Sequence, residues 1–435
     1  MCASKALARL LPGVTCAVML GCLACEGSSG GLRNLPTAVA PGKANSGHWP
    51  GERVAVFTAG GRRCDALMGR LVDIAVRQDG QDIERFVALR QIRQVARSDS
   101  VRGEMLAPLL QYARDLRGVL DPYETVPAAR ALAAGGPAVE ALACEELSVS
   151  LSKGDERFPF LCLTLALAER PGSKVTETLA ELAMSRGREK PERRFLSLAL
   201  AARRDHTKDW MEEVASAVRE SASNADPRAA TVSAAFMMCL VYAAPRLRAT
   251  PALADALWRL VNSADSHTVP FLPLACYALL QPAPADPAVL AAIQDRIGGA
   301  PASETASVAV GHLAVAALGV DSGAHTDQAL ALVASHAYTT GDWYVLQIAG
   351  DTIVEARLLP YLSASLATGS RDVKLGGLRF VKMMGPYADS LLGPVGSLTP
   401  ILGGEAGDVL RLVAGFDDKG EWLFPRTKAA LRGGL

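Results

Sequence analysis

Aromatic residues are scarce in this chain: Phe, Trp and Tyr make up 5% of its 435 positions. That argues against a cleft whose main feature is stacking on sugars or bases. Neither charge is in excess, with 45 basic and 45 acidic side chains. A protein that grips nucleic acid through a global field carries a clear surplus, so no nucleic-acid partner is expected. Motifs that carry chemistry are missing too. The sequence has no Gly-x-x-x-x-Gly-Lys-Ser/Thr phosphate loop, no Gly-x-Gly-x-x-Gly turn and no His-Glu-x-x-His helix. No Cys/His cluster has zinc spacing, so no metal site is expected, and no cofactor. None of the six histidines pairs at helix-ligand spacing, and His312, in an apolar run, reads as a satisfied core residue. His325 precedes a Thr and reads as turn or cap chemistry. What the chain has in quantity is apolar residues, at 50%, which excludes wholesale disorder. Its length suits about three compact domains or one long repeat array.

The first 50 residues read as an address. Lys5 and Arg9 make a short positive segment, and residues 10–24 then carry no charge. The apolar run is short for a membrane span, which needs about 20 residues, and it contains Pro12 and Gly13. It ends at Cys22 and Cys25 and passes into Glu26-Gly-Ser-Ser-Gly-Gly31. The combination resembles a bacterial lipoprotein signal. That resemblance implies a signal peptide over 1–21, lipid attachment at Cys22 (alternatively Cys25), and a lipid anchor in a bacterial cell envelope. An ordinary cleaved signal and a retained membrane helix are the other readings of the same run. Residues 22–50 hold Gly, Ser and Pro without apolar period and read as a flexible tether.

Residues 51–435 read as the body. Cys64, Cys144, Cys162, Cys239 and Cys276 are widely spaced in apolar segments and read as buried small hydrophobes. Apolar residues recur at spacings of three and four. Leu67, Met68, Leu71, Val72 and Ala75 make one helical face, and Met105, Leu106, Leu109, Leu110, Ala113 and Leu116 another. Breaks rich in Gly, Pro, Asp and Ser separate such segments, giving roughly twenty helices. Five helix starts are marked by Pro in Gly136-Pro137, Lys190-Pro191, Asp226-Pro227, Thr250-Pro251 and Asp286-Pro287. Pro191 to Pro227 and Pro251 to Pro287 are each 36 residues apart, the length of a helix–turn–helix unit. Arg53-Val-Ala-Val-Phe57 and the Asp79-Gly80 turn leave a small β-barrel over residues 51–97 as an alternative. Ala230–Ala244 reads as a helix buried on all sides and not as a membrane span.

The segment Ser370-Arg-Asp-Val-Lys-Leu-Gly-Gly-Leu-Arg-Phe-Val-Lys-Met-Met-Gly385 resembles a HEAT-type repeat unit through Asp372, Val373, Lys374, Leu378, Val381 and Gly385. Gly407-Asp408-Val409-Leu410-Arg411 looks like the start of another. The resemblance implies an all-α fold, an α-α superhelix in which stacked neighbours bury one continuous core. It also implies a scaffolding role, though a fold does not fix a function.

Two clusters stand out as candidate partner-binding residues. Arg186, Arg188, Lys190, Arg193 and Arg194 form the densest basic run. Trp343 and Tyr344 lie in a polar stretch where exposed aromatics would anchor a partner. A solvated helix rim and core packing are the competing readings. The acidic pairs Glu145-Glu146 and Glu212-Glu213 read as solvated helix faces. The expected function is non-enzymatic: a membrane-anchored scaffold that presents a helical-repeat groove to a protein partner. A small-ligand binding protein and a helical-barrel polysaccharide hydrolase or lyase are the alternatives.

Overall fold

The computed structural model describes residues 65–77, 82–96, 103–115 and 125–414, interrupted at 156, 170, 188–189, 204–208, 222–226, 264–270, 282–285, 301–304, 336–345, 347, 351, 385–387 and 389. The chain is an all-α superhelix, and no strand occurs among the described residues. Helices α1 (Asp65–Val76) and α2 (Asp82–Ala96) flank the Asp79-Gly80 position, so both arms of the hairpin alternative are helical. Residues 53–57, 79 and 80 themselves lie outside the described residues, as do 1–50, Cys64 and Leu116. A 3-10 segment (Gly103–Leu110) and α3 (Gln111–Asp115) follow, where periodicity alone suggests one α-helix. Pro108 lies inside that segment, and its missing N–H and bulky ring disfavour regular α-winding.

From α4 (Thr125–Ala133) onward the helices come in pairs. They are α5 (Pro137–Lys153) with α6 (Phe158–Ala166), α7 (Ser173–Met184) with α8 (Pro191–Ala201), and α9 (Met211–Ser221) with α10 (Pro227–Ala243). Then come α11 (Pro251–Ser263) with α12 (Phe271–Leu280) and α13 (Pro287–Gly299) with α14 (Thr305–Ala317). The sixth pair opens with α15 (Ser322–Ser335). First helices start at 137, 173, 211, 251, 287 and 322, a repeat of 35 to 40 residues. All five proline-marked starts are real starts. Asp286 caps α13 by accepting from the Ala288 N–H at 2.9 Å, and Gly136 enters α5 at φ 77°, where a side chain would be strained.

The second helix of each pair is the buried one. Every residue of α6 is buried, as are most residues of α8, α12 and α14, while α7 and α13 bury one stripe. The second helices pack in succession, α6 on α8, α8 on α10, α10 on α12 and α12 on α14. Phe158, Phe195 and Phe236, one from each of α6, α8 and α10, meet edge to face with centroids 5.2 and 5.6 Å apart. That row buries much of the apolar content of the described residues. No helix among the described residues is long and apolar enough to cross a membrane. Phe236 to Ala244 in and after α10 are all buried.

A second regularity is polar. Side chains reach back one repeat to the carbonyls that end an earlier helix, which lack helical donors. Gln111 donates to Val76, Arg186 to Leu151 and Arg296 to Val261, each 35 residues back. Arg379 likewise donates to Val333 and Ala334. Guanidiniums at helix C-termini also offset the negative end of the dipole.

The late helices are α16 (Leu359–Thr368), α17 (Arg371–Met384), α18 (Leu392–Ser397), α19 (Thr399–Leu402) and α20 (Gly404–Ala414). α17 covers most of the HEAT-like segment. The expected start at Gly407-Asp408 moves three residues earlier, because Gly403 at φ 55° ends α19 and α20 begins directly after it. A π-helical turn, Val354–Leu358, precedes α16. Periodicity does not say whether such a stack is open or closed. Here it curls back on itself: Arg90 of α2 donates to the Met384 carbonyl that ends α17, 294 residues away.

Candidate functional site

The curl creates a cavity with charged side chains in a largely apolar wall. It lies where the C-terminal ends of α4, α6 and α10 converge with α2 and the π-turn, and it measures about 160 Å³. Arg93, Arg130, Arg246, Glu169, Glu355 and Tyr242 supply its polar lining. Glu355 is the hub. One carboxylate oxygen accepts from Arg93 at 2.8 Å and the other from Arg130 at 3.1 Å, across 262 and 225 residues. The π-turn places Glu355 there while Arg357 of the same turn donates to the carbonyls of Leu279, Gln281 and Ala317. Extra winding of this kind is rare, comes mostly as single turns and is frequent at functional sites. Partial burial holds the Arg357 guanidinium below its ordinary range.

The other walls come from helix ends. The Arg130 guanidinium lies 5.0 Å from the Tyr242 ring centroid, a cation–π contact that fixes both. Arg246 donates to the Ala168 carbonyl just past α6, and the Glu169 N–H donates to the Ala133 carbonyl at the end of α4. Among the described residues its lining holds three arginines and two glutamates. Pro245 and Ala356 on the rim are exposed, so the cavity meets solvent there.

None of these residues stands out in the sequence, because they are scattered singly over some 260 positions. Three members of the basic run that does stand out make bonds within the fold. Arg193 is 7% exposed and forks onto Glu213 at 2.9 and 2.8 Å, with a third bond to the Arg186 carbonyl. Arg194 pairs with Glu220 at 2.7 Å, and Arg186 reaches Leu151. Lys190 is exposed. Arg188, Trp343, Tyr344, Cys22 and Cys25 lie outside the described residues. Of the acidic pairs, Glu212 fits a solvated face, 64% exposed and paired with Arg219. Glu213 does not: it is largely buried and accepts from both Arg193 and Ser197.

The histidines also need correction. His312 and His325 are 13 residues apart, yet their Nδ1 atoms lie 2.9 Å apart and their ring centroids 5.2 Å. The turn between α14 and α15 brings them together. Gly319 at φ 85° and Asp321 at φ 40° reverse the chain within a few residues, and no i, i+4 search finds a pair made that way. Burial, aided by the neighbouring His325, pushes His312 down to about 4. Among the described residues no group of three or more His, Cys, Asp or Glu is placed to hold a metal ion.

Cys144, Cys162, Cys239 and Cys276 are free and buried, as the sequence suggests. Burial pushes the Cys144 thiol up to about 11 and the other three also well above the ordinary range. Iodoacetamide at pH 8 is therefore expected to leave these four unmodified in the native protein and to label all of them in denaturant. Peptide mass spectrometry reads the result, and native labelling at the denatured rate would contradict the burial. Set against family models, curated proteins and solved structures, the chain matches none of them.

Proposed function

We propose that the chain is a lipid-anchored, non-enzymatic interaction protein of a bacterial cell envelope, holding a protein partner on its α-superhelix. The observation that supports this reading is the arginine-lined cavity at the curl. At about 160 Å³ it is smaller than the roughly 300–1,000 Å³ of sites that engulf a whole small ligand. It has room for one inserted side chain, and three arginines in its lining favour an acidic one, since guanidiniums bond carboxylates strongly. Its carboxylate hub, Glu355, has each oxygen engaged by a guanidinium, a poor starting point for the paired-carboxylate work of a glycosidase. The N-terminal Cys22 and Cys25 segment and the tether support the anchor.

Both halves can be tested in the cells that make the protein. The full chain is cross-linked in intact membranes and its adducts are identified by mass spectrometry, for the wild type and for Arg93→Gln. One recurrent partner, joined near the cavity and reduced at least severalfold in the variant, is the expected result. No recurrent partner, or equal yield from both proteins, overturns the reading. For the anchor, Cys22→Ala with Cys25→Ala is expected to abolish lipid labelling, and unchanged labelling would remove that half of the proposal.

A further inference from the structure

The His312–His325 pair is not used by the cavity or by the helix row. Two imidazoles meet on adjacent antiparallel helices, joined by a four-residue turn held by Gly319 and Asp321. Both rings are half-buried. Among the described residues each ring's hydrogen-bond partner is the other ring, with no carboxylate or carbonyl holding either. In that bond one Nδ1 carries the proton and the other accepts it.

We propose that His312 and His325 form a two-imidazole chelate for a late first-row divalent transition ion, with Cu2+ held more tightly than Ni2+ or Zn2+. Nitrogen-only ligation selects these ions over Mg2+ or Ca2+, and the Irving–Williams order ranks Cu2+ first. The geometry is close to what a chelate needs. Two cis nitrogens on one tetragonal Cu2+, each about 2.0 Å from it, lie about 2.8 Å apart, and on a tetrahedral Zn2+ about 3.3 Å apart. The observed 2.9 Å separation falls between these two values, and each ring turns so that its lone pair aims at the ion and not at its neighbour. The fold has already positioned both donors, so little ordering remains to oppose binding. The two protein nitrogens leave the remaining positions to water or to a ligand from solvent.

The test uses the untagged full chain, CuSO4 as probe and electron paramagnetic resonance as readout. The wild type is expected to bind one equivalent of Cu2+ with coupling to two imidazole nitrogens. His325→Gln is expected to keep its helical circular dichroism and lose affinity at least about tenfold, since even outer-shell changes cost 10–100-fold. Either of two results overturns the proposal: a wild-type spectrum without two nitrogen couplings, or an equal-affinity site in His325→Gln. The wild-type spectrum decides alone if the variant fails to fold. Zn2+ and Ni2+ titrations then check the order.

Discussion

Replacing Glu140 by alanine is expected to destabilise the protein by about 3–5 kcal/mol, the cost of leaving a buried charge without its partner. Glu140 in α5 pairs with Arg203, just past α8, and the two side chains are 3% and 1% exposed. The pair sits inside a small polar network. The other Glu140 oxygen accepts from the Gly172 N–H at 2.7 Å, at the entry to α7, and Arg203 donates to Thr176 Oγ1 at 2.8 Å. Three helices of two successive repeats are therefore tied at one point. Alanine at 140 strands a guanidinium out of water and frees the Gly172 N–H together.

The double change Glu140→Leu with Arg203→Met should recover most of that loss. Isosteric apolar replacement of a buried pair is often neutral, because the desolvation cost disappears with the charges. Asp255→Ala is the contrast. Asp255 and Arg259 pair at 2.9 Å with side chains 52% and 72% exposed. An exposed i, i+4 pair contributes about 0.3–0.5 kcal/mol, so its loss should barely move the curve. Urea unfolding followed by circular dichroism ranks the variants. Glu140→Ala unfolding at the same urea concentration as Asp255→Ala would contradict the buried reading.

Helix existence and phase were legible because local rules govern them. Pro at a first helical position and apolar spacing of three and four need no knowledge of neighbours, so Pro137, Pro191, Pro227, Pro251 and Pro287 read correctly. The two 36-residue intervals turn out to lie in different phases of the repeat. Pro191 and Pro227 start second helices, whereas Pro251 and Pro287 start first helices. The 3-10 winding around Pro108 was less legible, since its apolar spacing still resembles an α-helical face.

The cavity was not legible at all. Glu355 meets Arg93 and Arg130 only because the superhelix curls, and curl is the sum of small angles between many helix pairs. Nothing local to residue 355 carries that sum. The basic run at 186–194 is the opposite case. Charge density along a sequence is visible, while the acceptors that absorb it come from other repeats: Glu213 and Glu220 from α9, Leu151 from α5. The histidine pair falls between these cases. Its turn signals, Gly319 and Asp321, are local, but only the packed helices show that positions 312 and 325 face each other.

Close helix contact underlies the remaining large effect, expected at Gly376. A Cβ built at Gly376 of α17 would stand 1.8 Å from the Leu330 carbonyl oxygen of α15 and 2.6 Å from its carbon. Both atoms are backbone, so a rotamer change cannot make room and the helices must separate. Gly376→Ala gains roughly 1 kcal/mol of helix propensity. Against that stands an overpacked contact of about 1–3 kcal/mol or more, at the upper end here because the obstacle is rigid. A net loss of about 2 kcal/mol is expected from these two opposing effects.

Two neighbouring substitutions set the scale. At Gly377 the obstruction is the Leu366 side chain, with Cδ2 at 2.7 Å, which can turn aside, so Gly377→Ala should cost less. At Gly407, inside α20, nothing lies within 4 Å of the added carbon. There alanine should stabilise by about 0.4–1 kcal/mol, through propensity and a less free unfolded chain. The three variants are thus predicted in the order Gly407→Ala above wild type, then Gly377→Ala, then Gly376→Ala, by urea midpoint. Gly376→Ala at or above the wild-type midpoint would mean that α15 and α17 do not meet backbone to side, and the tight stacking of the last repeats would have to be redrawn.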